Sequence, residues 1–117
     1  MDLNNAIVTH VEWKLKFRSA IATQAQMDIV SISKDTCCEL GKWLHGEGGS
    51  KFGFFPETVN CIKKHAVFHQ EAGKVATAIN EKKYDDAGVM LNAGKPYAKA
   101  SNDVGFAIKR LKIKASL

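Results

Sequence analysis

The stretch PETVNCIKKHAVFHQEAGKVATAINEK, opening at Pro56, constrains this chain more than any other. Proline suits the first turn of a helix, where its missing amide has no partner to lose. Beyond it Ile62, Ala66, Gly73 and Ala76 share one face at helical spacing, and His65 and His69 lie on that same face. Residues at i and i+4 stand one above the other. Two neutral imidazoles so placed can share one metal ion. A helix that turns such a face inward must be covered by other elements, and the rest of the chain has to supply them.

The first segment, DLNNAIVTHVEWKLKFRSAIATQ, carries Leu3, Ile7, Phe17 and Ile21 with Ala6, Trp13 and Ala20 as one helical stripe, and His10 falls within it. Lys14 also falls near the centre of that stripe, where its stem can follow apolar surface while the ammonium reaches water. The helix is expected to fade between residues 24 and 30, because MDIVSISKD is β-branched and serine-rich. A short helix is expected in DTCCELGKWLHG, with Thr36 and Glu39 at capping-box spacing, Asp35 as an equally good cap, and Gly46 as its stop. GEGGSKFG reads as a loop. A fourth helical region runs from about Tyr84 to Ala115 with Met90, Leu91, Tyr97, Val104, Ile108 and Leu111 on its apolar side. Pro96 predicts a kink or break at 93–96. Gly94, Ala98, Ser101 and Gly105 form a groove of small residues where a neighbouring helix can approach. Together these elements predict an all-α fold: an antiparallel four-helix-type bundle, three elements long and one short.

The chain has 117 residues, enough for one domain spanning 1–117 and too few for two ordinary ones. A hydrophobic content of 45% with 25% charged residues belongs to a globular protein. No apolar run is long enough to cross a bilayer, and the N-terminus lacks the pattern of a signal peptide, so a cytoplasmic location without a membrane partner is expected. Cys37, Cys38 and Cys61 make a poor disulfide framework and are expected to remain thiols. The net charge of +5 raises the question of nucleic acid. The lysines are spread along the chain, however, and IKRLKIK at 108–114 reads as a solvated helix end, so no nucleic-acid partner is expected.

His10, His65 and His69 therefore point inward from two helices. Each neutral ring in a poorly solvated place needs a polar partner, and one shared metal serves all three. Zinc prefers nitrogen and sulfur and takes four protein ligands when the site is structural. Cysteine is the natural fourth donor. Cys61 climbs the same helix as His65 and His69. With about 1.5 Å of rise per residue it lies too far from His69 for one tetrahedral ion to reach both easily. Cys37 or Cys38, both expected in the first turn of the short helix, are better placed. His45, at the rim of the glycine loop, is expected to be exposed. Four protein donors leave no open position, Glu39 fits a cap, and Glu71 projects away from the histidines, so an enzyme is not expected.

HVEWK at 10–14, CELGKWL at 38–44 and HAVFH at 65–69 together resemble the chemoreceptor zinc-binding domain, a bacterial cytoplasmic sensor module. YDDAGVMLNAGKPYAKASNDVGFAIKRLK is similar to that family's C-terminal element. The resemblance implies a Zn2+ site of His10, Cys38, His65 and His69. It makes Gly41 a point of close helix contact and Trp43 bulk beside the metal, and Cys37 departs from the family pattern. It further implies a homodimer that regulates a signalling output in cis or in trans, of the chemotaxis-receptor or diguanylate-cyclase type, through zinc and in some members through cysteine oxidation. Two rival readings remain at the level of sequence. A hemerythrin-like di-iron bundle needs bridging carboxylates, but His69 is followed at i+4 by Gly73. The other is a metal-free helical interaction module.

Overall fold

The computed structural model describes residues 1–117 and contains seven helices and no strands. They are α1 (Leu3–Thr23), α2 (Ile29–Ser33), α3 (Glu39–Leu44), α4 (Glu47–Phe52), α5 (Pro56–Asn80), α6 (Tyr84–Met90) and α7 (Pro96–Lys114). Asp2 caps α1 by accepting the Asn5 amide at 3.0 Å, and the helix stops where Gln24 turns left-handed, with φ of 56°. Leu3, Ala6, His10, Phe17 and Ala20 form its buried line. Lys14 is exposed, contrary to its place in the expected stripe. The buried line steps by three and four residues past Trp13 and leaves Lys14 on the flank.

α1 ends at Thr23, at the edge of the interval expected for it, and the serine-rich stretch that follows forms a short helix of its own. Asp28 accepts the Ser31 amide at 3.2 Å and the Ser31 hydroxyl at 2.7 Å, which starts α2. Several other expectations about the middle of the chain are corrected. The expected glycine loop holds α4, which packs on α3. The Trp43 indole of α3 meets Phe52 of α4 at 6.0 Å between ring centres and lies against Gly48. The residue expected to add bulk beside the metal therefore packs these two short helices together. Neither Thr36 nor Asp35 caps α3. Cys38 does so, with its Sγ accepting the Gly41 amide at 3.4 Å. Cys38 thus lies at the helix boundary and Cys37 before it, not in the first turn.

α5 is the central element. It packs most extensively on α7, then on α2, and it also touches α6, α1 and α3, while α1 packs on α7. Phe68, Val75, Ile79, Leu91, Val104, Ile108 and Leu111 fill the core between them, all fully buried or nearly so. The last region divides as expected near Pro96: α6 ends at Met90, Gly94 adopts φ of 82°, and Pro96 opens α7. At the two glycines of the small-residue groove the space is open, since a Cβ placed on Gly94 or Gly105 would meet nothing within 4 Å.

Two contacts prepare the site. Gly73, one turn beyond His69, faces Ser33 so closely that a Cβ there would press on the Ser33 side chain and stand 3.3 Å from its Cα. Its lack of a side chain lets α2 lie against α5. Asn80 then clamps the link between α1 and α2, since its Oδ1 accepts the Met27 amide and its Nδ2 donates to the Met27 carbonyl, both at 2.8 Å.

Candidate metal centre

His10 comes from the middle of α1, Cys38 from the boundary of α3, and His65 and His69 from successive turns of α5. The Nε2 atoms of the three histidines and the Cys38 Sγ all lie within 4.8 Å of one another. His65 Nε2 is 3.2 Å from His10 Nε2 and 3.0 Å from His69 Nε2. Cys38 Sγ is 3.2 Å from His65 Nε2, 3.6 Å from His69 Nε2 and 4.0 Å from His10 Nε2. A tetrahedral zinc ion with bonds of about 2.0–2.3 Å sets its donors roughly 3.3 Å apart for nitrogen pairs and roughly 3.6 Å for nitrogen and sulfur. The five separations in the chain lie within about 0.4 Å of those values, and the remaining pair, His10 with His69, is held within 4.8 Å.

The orientation of two rings is fixed from behind. His10 Nδ1 donates to the Ala6 carbonyl at 2.7 Å and His69 Nδ1 to the Ile32 carbonyl at 2.8 Å. A carbonyl can only accept, so each Nδ1 carries the proton and each Nε2 of the neutral ring presents a lone pair inward. Burial lowers the pKa of all three histidines. For His65 it acts with the neighbouring His69 and His10 to push the value down to about 2. All three rings are therefore neutral at pH 7. Burial raises the pKa of the Cys38 thiol, opposed by the amides of Gly41 and Leu40.

Such a set is badly satisfied by protons alone. One proton on His65 Nε2 serves a single neighbour, and it leaves His65 Nδ1 bare, a buried atom with no hydrogen-bond partner. The three Nε2 lone pairs and the Cys38 sulfur would together hold one cation at the centre, with Cys38 as a thiolate donor. The residues present fit zinc by donor type, number and spacing. No carboxylate joins the cluster, which is the only group of its kind in the chain, so the bridging acids of a di-iron site are missing.

The remaining polar residues stand apart. His45 is exposed, with its Nε2 3.2 Å from Asp35 Oδ2. Cys61 is fully buried one turn below His65, its pKa pushed up to about 12 by burial, and is not among the converging atoms. Cys37 is exposed. Glu71 pairs with Lys74 at 2.9 Å. Two further residues shape the surroundings of the cluster. Trp13, with Lys16 above its ring at 4.5 Å, lines both surface depressions that reach Cys38. The carbonyl of Ile32 orients His69, and only the Asp28–Ser31 cap signal hinted that a helix would present it.

Fold and site together define an all-helical protein with one buried cluster of three histidines and one cysteine. The model of the chemoreceptor zinc-binding domain matches residues 10–76, more than half of the chain and a span that includes all four donors. The chain belongs to the chemoreceptor zinc-binding domain family. The match ends before α6 and α7, so the likeness of the last region lies outside it. No curated protein and no solved structure matches the chain.

Proposed function

We propose that this chain is a single regulatory domain, residues 1–117, that binds one Zn2+ through His10, Cys38, His65 and His69 and governs a signalling output of the chemotaxis-receptor or diguanylate-cyclase type. The convergence of the four donor atoms within 4.8 Å carries this reading. Bound zinc supplies a cross-link between segments far apart in the chain and keeps Cys38 as a thiolate. The residues themselves do the rest. His10 anchors α1, Cys38 anchors the start of α3, and His65 with His69 anchor α5, so loss of the common centre frees three segments to repack. Two inputs act on this arrangement: zinc availability, and oxidation of Cys38, the one oxidisable donor.

Our reading is non-catalytic, since four protein donors complete a tetrahedral shell. We place the domain in the cytoplasm without a nucleic-acid or membrane partner; no helix is long and apolar enough to cross a membrane. We also read α1, α5 and α7 as the long members of an antiparallel four-helix-type bundle. Lys114 lies over Phe55 while Tyr97 packs on Phe68, which supports opposite directions for α5 and α7. Homodimerisation is supported by the exposed Val8, Val11 and Leu15 on α1 and Phe106 and Ile113 on α7. The output is joined in cis or reached in trans.

Metal analysis of protein purified without added zinc tests the proposal. One zinc per chain is expected, lost in His69→Ala and Cys38→Ala, and chelation is expected to lower the thermal midpoint. Protein that folds identically with and without a strong chelator and carries no zinc would favour the metal-free interaction module. Two irons per chain would favour the di-iron reading.

A further inference from the structure

Cys37 stands directly before Cys38 in the chain and is not among the four converging donors. We propose that Cys37 is the resolving thiol for Cys38: when a hydroperoxide oxidises the Cys38 sulfur, Cys37 closes on it to form a disulfide between neighbouring residues. The inference rests on the reading of Cys38 as the oxidisable donor.

Three observations carry it. Cys37 is exposed and Cys38 half-buried, and both line the same depression of about 490 Å3, beside Trp13, Met27 and His69. A reagent that enters there meets both residues. Next, the link between α2 and α3 is nearly free of backbone hydrogen bonds. Among residues 34–38 the only one is the Cys38 carbonyl accepting the Lys42 amide at 3.0 Å. The peptide unit joining Cys37 to Cys38 can turn to close a small ring without breaking a ladder. Finally, the third thiol cannot compete, because Cys61 is fully buried in α5.

The chemistry closes on these groups. The Cys38 thiolate attacks the peroxide; an S–O bond forms, the O–O bond breaks, and the departing oxygen takes a proton from water and leaves as alcohol or water. The Cys37 thiol then attacks the sulfenic sulfur. An S–S bond forms, the S–O bond breaks, and hydroxide leaves with the Cys37 proton as water. Two thiols are oxidised by two electrons and one peroxide is reduced. Neighbouring Cα atoms are about 3.8 Å apart, below the usual disulfide range of about 4.4–6.8 Å. The ring is therefore strained and easily reduced, which suits a donor that must be restored.

Zinc-loaded wild-type protein and Cys37→Ser are exposed to hydrogen peroxide, blocked with an alkylating reagent and digested with trypsin. The peptide spanning residues 35–42 carries both positions. In the wild type it is expected unalkylated and about 2 Da lighter than its dithiol form, and in Cys37→Ser about 16 or 32 Da heavier at Cys38. A metallochromic indicator is expected to register zinc release from both. A thiol reductant then restores zinc binding to the wild type but not to the fraction of Cys37→Ser carried past the sulfenic acid. Equal oxygen adducts in the two proteins, or a wild type that runs as a disulfide-linked dimer, overturns the role of Cys37 alone. Unmodified Cys38 and retained zinc in both overturns the oxidation reading with it.

Discussion

Replacement of Gly41 by Ala probes how tightly α3 must press on the site. Gly41 is buried, and its amide donates to Cys38 Sγ at 3.4 Å. A Cβ there would overlap the Asp35 carbonyl oxygen and would stand 2.7 Å from that carbonyl carbon and 3.2 Å from His65 Cε1. Carbon atoms in contact sit about 3.5–4.0 Å apart, so the Asp35 carbonyl carbon must retreat by about 1 Å and its oxygen, which is closer still, by more. Alanine gains about 0.8–1.0 kcal/mol in helix propensity. Overpacking costs about 1–3 kcal/mol, and the clash is with backbone and a donor ring, which places it at the upper end. The net loss is about 1–2 kcal/mol, or a midpoint lower by roughly 4–8 °C in a domain of this size. The retreat of Asp35 also displaces Cys38, and zinc sites tolerate only about 0.2 Å in their bonds. Affinity is expected to fall about 10–100-fold, the effect of disturbing groups that orient ligands. Thermal unfolding and competition with a chelator of known zinc affinity measure the two effects. Gly105→Ala is the control, since its Cβ meets nothing within 4 Å inside α7, and it is expected to stabilise by about 0.5–1 kcal/mol. A Gly41→Ala protein that matches the control in both assays would refute the close-contact reasoning.

Acid is expected to weaken the metal-free protein. The folded pKa of His65 lies near 2, below its ordinary value of 6.5, so its contribution is complete above 6.5 and declines as pH falls towards 2. At pH 5 the loss from His65 alone is about 2 kcal/mol; denaturant titrations of the metal-free form showing equal stability at pH 7 and pH 5 would contradict this. Asn80→Ala removes both bonds to Met27 and is expected to cost about 1–3 kcal/mol, measured by chemical unfolding, with Asn80→Asp recovering part through its acceptor. Leu15, 70% exposed on α1, is the position to test for self-association. Leu15→Lys is expected to lower the mass seen by light scattering to that of one chain while leaving the thermal midpoint nearly unchanged.

The elements legible in the sequence are those whose signals are local and long. α1 and α5 each repeat an apolar face over many turns, and the break before α7 follows from Pro96 itself. The short helices were harder. α2 consists of five residues, IVSIS, all of them β-branched or serine and at first glance unsuited to helix, and it forms because Asp28 caps it and Gly73 makes room for it. α4 is rich in glycine and forms against Trp43 and α3. The cap of α3 went to Cys38 in preference to Asp35 or Thr36, because the side chain that turns towards the α5 histidines also turns towards the Gly41 amide.

Taken alone, the amino-acid sequence determined that the chain is helical, that His65 and His69 share a face, and which side chains are chemically able to bind zinc. Those properties depend on spacing within one helix and on donor type. Helical spacing left Cys37 and Cys38 open and the CELGKWL motif pointed to Cys38; tertiary structure brings Cys38 to the histidines and decides how the rings are held. His10 and His65 are 55 residues apart, and Cys38 is 28 from His10; their meeting depends on how α1, α3 and α5 pack. A helix's periodicity says which face is inward, but not what it will find there.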